Sequence, residues 1–308
     1  MKFTTLLILL SIYIYCDAQI INNNPIEVGI GEKQFNPDII RNNNIKSIII
    51  TIINKPDGML IKDIGKRRGY IFNKKGYVEQ YYYTVNKKAN QIAYNNKQSD
   101  RSFYKTDTVF EFVMYDSLNR IIISSSLNNY YKYKYNNLNQ VIKKSYFKGF
   151  PDINNQGDAI NNIELFSSKK YSYKILTNKQ TKKEVYYDDG YAYKKAIIHY
   201  DEKKNIVAEN VEFISSWILE DYTYKYDNNN NIIEHTYKSN RKGEVQLKET
   251  YFYDEFGKLV SNKKFINDQL VIERNYLYDN ENKLIKSEVN RDHANNSVII
   301  VKYKYSYY

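Results

Sequence analysis

A short aromatic repeat constrains the fold of this chain more than any other feature. Its copies have two aromatic or apolar residues around one variable position, followed directly by Asp or Asn. Counting forward from that Asp or Asn, six of seven copies have Gly or Asn three residues on, as at Gly76 and Gly257, and all seven have an apolar residue five residues on. Columns kept through seven copies indicate one repeated structural unit. The residues directly before the Asp or Asn are Phe72, Tyr115, Tyr135, Tyr200, Tyr226, Tyr253 and Tyr278.

Each column of the repeat has a structural reason. Successive side chains of a strand point to opposite faces, so aromatics two residues apart lie on the same face. Asp or Asn binds backbone amides ahead of it and starts a turn. Gly or Asn three residues later adopts the left-handed conformation that closes a hairpin, often with a bulge. One copy has Lys204 in this column, and we expect Asn205 to take the left-handed conformation there, in a loop one residue longer.

The spacing of the repeats predicts the fold class. Tyr200, Tyr226, Tyr253 and Tyr278 are 26, 27 and 25 residues apart, and Tyr305 follows after another 27. This period fits two strands and two turns. We predict an all-β chain of tandem antiparallel hairpins that form an open spiral or curved sheet, with no amphipathic helix in the mature chain. Residues 45–308 form one predicted repeat domain, irregular over 45–193 and regular over 194–308.

The irregular half has weaker signals. Tyr171 and Tyr173 have the aromatic spacing without the turn residue or the apolar position that follows it. Residues 187–190 are typical of a compressed hairpin, and residues 150–162 of a longer loop. Residues 19–44 are Asn-rich and predict an extended or disordered lead-in.

The N-terminus has the layout of a secretory signal peptide. Lys2 precedes an apolar run over residues 6–15, and Cys16 and Ala18 are small residues at the −3 and −1 positions of a cut before Gln19. We therefore predict a signal peptide over 1–18 and a periplasmic, cell-surface or secreted protein. The apolar run is too short for a membrane span, and Tyr15 disfavours a lipid-bearing Cys16. Cleavage removes the single cysteine, and with it disulfides, thiol catalysis and cysteine-based metal sites.

The repeat resembles the YD repeat of the Rhs-type family. The strings at 251–259 and 276–284 carry the resemblance best, and it covers most of residues 45–305. It implies a hairpin array, because members of that family form spiralling β-sheets. Some members enclose a toxin, and others are assigned to sugar binding or cell-surface contact. This chain is far shorter than the toxin-carrying members and has no effector domain or Pro- and Gly-bearing boundary motif, so it is more similar to small exported bacterial members.

The distribution of charge along the sequence does not indicate a nucleic-acid partner. The net charge is +11, but the basic residues are scattered as short pairs such as Lys143 and Lys144. Scattered charge is typical of a solvated face. A basic surface outside the cell can instead attract acidic polysaccharides or lipid headgroups.

No catalytic, cofactor-binding or metal-binding constellation appears in the sequence. His199, His235 and His293 have no neighbour at metal-ligand spacing. Loops starting at Asp152 and Asp227 open like calcium loops but lack the closing Glu. The carboxylate pairs at 188–189 and 220–221 are sequence neighbours, whose side chains point to opposite faces of a strand. We therefore expect a protein that is not an enzyme and has no cofactor, and keep a polysaccharide-cleaving enzyme as a remote alternative.

Trp217 is the candidate binding residue. It is the only tryptophan, it lies outside the repeat columns, and Trp is enriched at binding hot spots. Together with the export signal, it favours a binding or scaffold protein of the cell envelope that recognises a glycan or an envelope protein. The alternative is a self-assembling structural protein, because an open array leaves unpaired strand edges. The oligomeric state stays open.

Overall fold

The computed structural model describes residues 35–56, 58, 60–88, 104–126, 129–149, 164–187, 190–241, 245–281 and 284–308. The predicted signal peptide, most of the lead-in over 19–44 and the predicted loop over 150–162 lie outside these ranges.

Strands make up most of the described chain, so the all-β prediction is confirmed. A single helix, α1 Pro37–Asn42, precedes eighteen strands in these ranges. The strands are β1 Ile45–Pro56, β2 Lys62–Phe72, β3 Val78–Lys88, β4 Tyr104–Tyr115, β5 Ile121–Ser126, β6 Asn129–Tyr135, β7 Val141–Lys148, β8 Glu164–Thr177, β9 Gln180–Tyr186, β10 Ala192–Tyr200, β11 Ile206–Phe213, β12 Ile218–Tyr226, β13 Ile232–Ser239, β14 Val245–Tyr253, β15 Leu259–Ile266, β16 Gln269–Tyr278, β17 Ile285–Asp292 and β18 Ser297–Tyr307.

The sheet is closed. Each strand pairs antiparallel with the next along the chain, as predicted for a hairpin array, and β18 returns to pair with β1. In that last pairing Ile48 lies opposite Tyr305 and Ile52 opposite Val301. The predicted open spiral or curved sheet was therefore wrong: the rotation between neighbouring strands adds up until the last strand meets the first. The described strands leave no free sheet edge, which removes the basis for self-assembly through edges.

One face of the sheet is buried on strand after strand. Side chains on the concave side of a closed sheet converge, so this face is the inside of the barrel, and we call it the inner face. The opposite, outer face carries mostly exposed polar side chains, with local exceptions such as Tyr130, which stacks on Phe147. Buried residues of the inner face include Ile48, Ile50, Tyr70, Tyr81, Val113, Tyr133, Val185, Ala196, Val211, Glu220, Asn262, Glu288 and Tyr303.

The repeat turns share one hydrogen-bond pattern. In the turn after β12, the Asp227 carboxylate accepts hydrogen bonds from the amides of Asn229 and Asn231, both at 2.8 Å. The amide of Asn230 donates to the Asp227 carbonyl oxygen at 3.1 Å, and Asn230 has a left-handed φ of 65°. The described copies all have a positive φ in this column, at Gly76, Asn119, Asn139, Lys204, Asn230 and Gly257.

Two copies differ in detail from the prediction. Lys204 itself is left-handed, with φ 68°, and its turn has the ordinary length, so the predicted switch to Asn205 was wrong. The Asp201 carboxylate holds this turn by accepting from the Asn205 amide at 2.8 Å, which favours the turn strongly enough to impose φ > 0 on a lysine. The longer loop follows Asp279, whose amide donates to the carbonyl oxygen of Leu284.

Tyrosine hydroxyls join each repeat to the one before it. The Tyr226 hydroxyl donates to the Ile206 carbonyl oxygen at 2.8 Å, beside the register shift where β11 carries one residue more than β10. Such a bulge interrupts the sheet hydrogen bonds locally. Tyr200 and Phe72 occupy the same column at the ends of their strands. Equivalent bonds join Tyr115 to Val78, Tyr135 to Ile121, Tyr173 to Val141, Tyr253 to Ile232, Tyr278 to Leu259 and Tyr305 to Ile285.

The helix α1 was not predicted. Asn36 caps its N-terminus by accepting from the Asp38 amide at 3.0 Å, and Pro37 occupies its first turn. A six-residue helix is not stable alone, and packing supplies the rest: the Phe35 ring lies 4.7 Å from that of Tyr70 on the inner face, and Ile40 is fully buried. Within the described ranges, no helix is both long and apolar enough to span a membrane.

Candidate functional site

Trp217 lies in the turn between β11 and β12, at the end of the barrel opposite the repeat turns. Its side chain is 81% exposed, and its backbone has a left-handed φ of 53°, which is unusual for a bulky residue. Asn240 of the next hairpin holds this turn. Its side-chain amide donates to the Trp217 carbonyl oxygen at 3.0 Å, and its side-chain oxygen accepts from the Leu219 amide at 2.9 Å. The turn therefore keeps a large apolar ring in solvent at a conformational cost.

Three tyrosines lie on the neighbouring hairpin. The rings of Tyr187 and Tyr193 stack with centroids 4.1 Å apart, and Tyr191 between them is 75% exposed. The amide of Ile214, in the Trp217 turn, donates to the Tyr193 carbonyl oxygen at 2.9 Å and joins the two hairpins. We call Tyr187, Tyr191, Tyr193 and Trp217 the aromatic rim.

Four lysines lie on the inner face of the strands that lead to the rim. We call them the lysine row: Lys144, Lys169, Lys183 and Lys194. Each ammonium group approaches an aromatic ring. The shortest nitrogen-to-centroid distance is 4.2 Å, from Lys144 to Tyr131, and Lys169 and Lys194 each lie 5.3 Å from a ring. The pattern is typical of cation–π contacts.

The lysine row is electrostatically strained. Lys144 and Lys169 are direct cross-strand partners, and like charges in that position repel. Burial, and then the charge of Lys169, lowers the pKa of Lys144. Among the described ion pairs none involves Lys144, Lys169 or Lys194.

Adjacent lysines of the outer face differ from the row. Lys182 pairs with Glu184 at 2.6 Å, and Lys195 pairs with Glu212 at 2.7 Å. Lys183 follows Lys182 in the chain and Lys194 precedes Lys195, and the side chains of Lys183 and Lys194 face inward. The outer lysines are thus neutralised by neighbours on their own face, whereas the row gathers positive charge on the inside.

Inner-face carboxylates are held by tyrosines on the same strand or on the neighbouring strand. Glu220 accepts hydrogen bonds from the hydroxyls of Tyr222 and Tyr237, at 3.0 and 3.3 Å. Burial, and then Glu220, raises the pKa of Tyr222, so this hydroxyl stays a donor. Tyr251 donates to Glu249 at 2.6 Å, and Tyr303 donates to Glu288. These acids have a structural role in β12 to β18.

A second concave feature lies on β1 to β4. It is a pocket of 390 Å³ whose walls contain three basic residues and the carboxylate of Glu111. The positive charge of the pocket is therefore partly compensated by its own lining. The lining residues are Ile52, Lys66, Arg67, Arg68, Tyr81, Tyr83, Thr84 and Glu111.

The remaining sequence candidates lie apart from one another. The ring of His235 stacks on Tyr224 at 4.8 Å, while His199 bonds to Asn210 on the outer face. Within the described part of the chain, no group of three or more His, Cys, Asp or Glu could hold a metal ion. The Asp227 carboxylate closes its own turn, and residues 152 and 188–189 lie outside the described ranges.

The Glu220 and Asp221 pair is divided between the two faces. Asp221 accepts from the Asn210 side chain at 2.7 Å on the outer face, whereas Glu220 lies inside. Sequence reasoning singled out Trp217 as a candidate and did not predict the lysine row. The Lys143–Lys144 and Lys169–Lys170 pairs were visible, but only the register shows which member of each pair faces inward.

Comparisons with known proteins show no family. No family model matches the chain, and no curated protein matches it. Among solved structures, a porin-like protein from Bacteroides uniformis ATCC 8492 has a TM-score of 0.43 at 12% identity, covering 86% of this chain and 97% of the other. A porin-like protein from Bacteroides vulgatus ATCC 8482 has a TM-score of 0.28 at 10% identity, covering 64% and 94%.

A further similarity is to a much larger molecule. The structure of TcdB2-TccC3 without its hypervariable C-terminal region has a TM-score of 0.31 at 14% identity, covering 78% of this chain but only 12% of that one. At these identities and TM-scores, the similarities say nothing about what this chain binds.

Proposed function

We propose that this chain is an exported, non-catalytic protein of the cell envelope that binds glycans at the aromatic rim. The observation that carries the proposal is Trp217, which is 81% exposed in a left-handed turn that Asn240 holds in place. A protein gains no stability from an exposed indole in a strained turn, so a binding role is the simplest reason to maintain one.

The chemistry of the rim suits a sugar ring. Aromatic faces pack against the C–H face of a pyranose, while tyrosine hydroxyls at the ring edge donate to sugar oxygens. The stacked pair of Tyr187 and Tyr193 lies on the hairpin next to Trp217. Neighbouring strands are about 4.8 Å apart, and the two turns are two strands apart, so the hairpins present aromatic surfaces about 10 Å from each other along the rim.

Export and the absence of catalysis are parts of the same proposal. The signal-peptide layout of residues 1–18 supports export to the periplasm, the cell surface or the medium. The inner carboxylates Glu220, Glu249 and Glu288 accept hydrogen bonds from tyrosine hydroxyls, which gives them a structural role in place of the acid–base role of a glycosidase pair. The repeat columns and their common turn geometry support the resemblance to the YD repeat.

The test is binding of the purified protein to a panel of cell-wall and capsular glycans, read by emission of the single tryptophan and by calorimetry. We expect at least one polysaccharide to bind with saturation and to shift the Trp217 emission. Trp217→Ala should abolish binding. Phe256→Ala is the matched control, because Phe256 is also an exposed aromatic residue and lies in a repeat turn at the other end of the barrel.

Two results would overturn the proposal. One is the absence of saturable binding to every glycan in the panel. The other is binding that survives Trp217→Ala but is lost with Phe256→Ala, which would move the site to the repeat-turn end.

A further inference from the structure

We propose that the bound glycan is a polyanion whose acid groups are held by the lysine row on the inner face. The inference rests on the proposed function and adds the chemical class of ligand and a second contact surface. The ligand class is an acidic polysaccharide with carboxylate groups, such as a polyuronate.

The lysine row and the aromatic rim form one continuous surface. Lys169 lies 5.3 Å from the ring of Tyr193, which belongs to the rim, and Lys194 follows Tyr193 in the chain. Lys194 in turn lies 5.3 Å from the ring of Phe213, at the end of the strand that enters the Trp217 turn. A chain stacked on the rim would therefore meet Lys169 and Lys194 first, and Lys144 further along the wall.

Charge complementarity selects an anionic ligand. Lys144 and Lys169 are opposed across two strands with no described carboxylate beside them, while the inner acids of β12 to β18 are bound to tyrosines. An anion placed between these two lysines removes their repulsion and satisfies ammonium groups that cation–π contacts satisfy only in part. Binding would thus release electrostatic strain that exists in the free barrel.

The proposed export favours a carboxylated glycan over a nucleic acid. Arg and Lys both bind carboxylates and phosphates, Arg through two parallel hydrogen bonds and Lys as a compact point charge. The lysine row contains no arginine, so it selects for negative charge without fixing the acid group. Outside the cell, a basic surface can attract acidic polysaccharides.

The experiment compares two polymers with one backbone and different charge. Polygalacturonate carries a carboxylate on each sugar, and its fully methyl-esterified form carries none. We expect the protein to bind polygalacturonate at least about tenfold more tightly, and to lose that preference as salt increases. Single-stranded DNA of equal charge should compete weakly.

The chain offers a matched pair of variants. Lys144→Gln with Lys169→Gln removes the inner pair. Lys143→Gln with Lys170→Gln removes the outer pair, which is also a direct cross-strand pair on the same two strands. Both changes lower the net charge by two, so long-range attraction changes equally. We expect the inner variant to lose about tenfold in affinity for polygalacturonate and the outer variant to stay within about twofold.

The outcomes separate this inference from the proposed function. Equal binding of the charged and esterified polymers overturns the anionic ligand and leaves glycan binding at the rim intact. Equal losses in the inner and outer variants, or tighter binding of DNA, overturn the lysine row as a glycan site. The salt dependence of the unaltered protein is an independent readout, and a flat dependence contradicts the inference even if the inner variant fails to fold.

Discussion

The tyrosine hydroxyls that join successive repeats should make a measurable contribution to stability. Tyr226→Phe tests one of them, because it removes a single hydroxyl and keeps the ring. That hydroxyl donates to the Ile206 carbonyl oxygen at 2.8 Å. Burial, and then the charge of Asp201, raises the pKa of Tyr226 to about 12, in keeping with a hydroxyl that is held neutral as a donor.

The magnitude follows from the state of the acceptor. A neutral hydrogen bond contributes about 1 kcal/mol, and a carbonyl left buried without a donor costs about 1–3 kcal/mol. Tyr226 is only half-buried, so water can reach the carbonyl in the variant. We therefore expect the lower end, a loss of about 1 kcal/mol in the free energy of unfolding, or about 1–2 °C in Tm for a chain of this length.

The assay is denaturant unfolding followed by circular dichroism, because the Trp217 indole is already exposed to solvent in the folded protein. Tyr187→Phe is the control, since it removes an exposed hydroxyl and leaves the stack on Tyr193 in place. It should change the free energy of unfolding by less than about 0.3 kcal/mol. Equal effects of the two variants would refute the stabilising role of the inter-repeat bond, as would a Tyr226→Phe protein as stable as the original.

Three further predictions concern the turns, the tyrosines and the rim. Gly257→Ala should lower the free energy of unfolding by about 1–2 kcal/mol, because of its φ of 76° alone. Gly76→Ala should lower it by at least about 2 kcal/mol more in denaturant unfolding, because the added Cβ would lie 2.0 Å from the Pro37 carbonyl oxygen. Equal losses in the two variants would contradict this close approach. Tyrosine in the unfolded chain ionises near pH 10, and the pKa of Tyr224 in the folded protein is about 12. The stability that Tyr224 contributes should therefore be complete below pH 10 and fall as pH rises toward 12, so tyrosinate absorbance should increase together with the loss of circular dichroism. Ionisation near pH 10 in a barrel that is still folded would contradict this prediction. Asn240→Ala should release the Trp217 turn, raise the mobility of the indole in fluorescence anisotropy and weaken glycan binding, while unchanged anisotropy would mean that the turn holds itself.

The sequence predicted the features that depend on local chemistry. The left-handed turn column follows from Asp or Asn side chains that bind the backbone just ahead, and at Lys204 this bond keeps the column in place although the residue type had argued for a shift to Asn205. Helix α1 had readable signals too, since Asn36, Pro37 and Asp38 form an ordinary N-terminal cap. The helix was not predicted because six residues are too few to show a helical hydrophobic period.

Features that depend on summed or distant geometry were not predictable. Closure requires that small rotations between all the strands bring Tyr305 beside Ile48, and no single column encodes that sum. The lysine row depends on strand register, because a shift of one residue would exchange Lys144 for Lys143 on the inner face. The exposure of Trp217 was a hypothesis from residue type, while its left-handed backbone depends on Asn240, twenty-three residues later.

The pairing of β1 with β18 determines when folding of the barrel can be completed. Among the described strands, β1 is synthesised first, and the partner for one of its edges is synthesised last. Until then, a strand containing Ile48, Ile49, Ile50, Ile52 and Ile53 has an unpaired edge, which is the kind of segment that joins other chains. Refolding yield should therefore fall with protein concentration far more steeply than the stability of the finished barrel suggests, and a truncated product lacking its last strand should aggregate instead of accumulating as a soluble fragment.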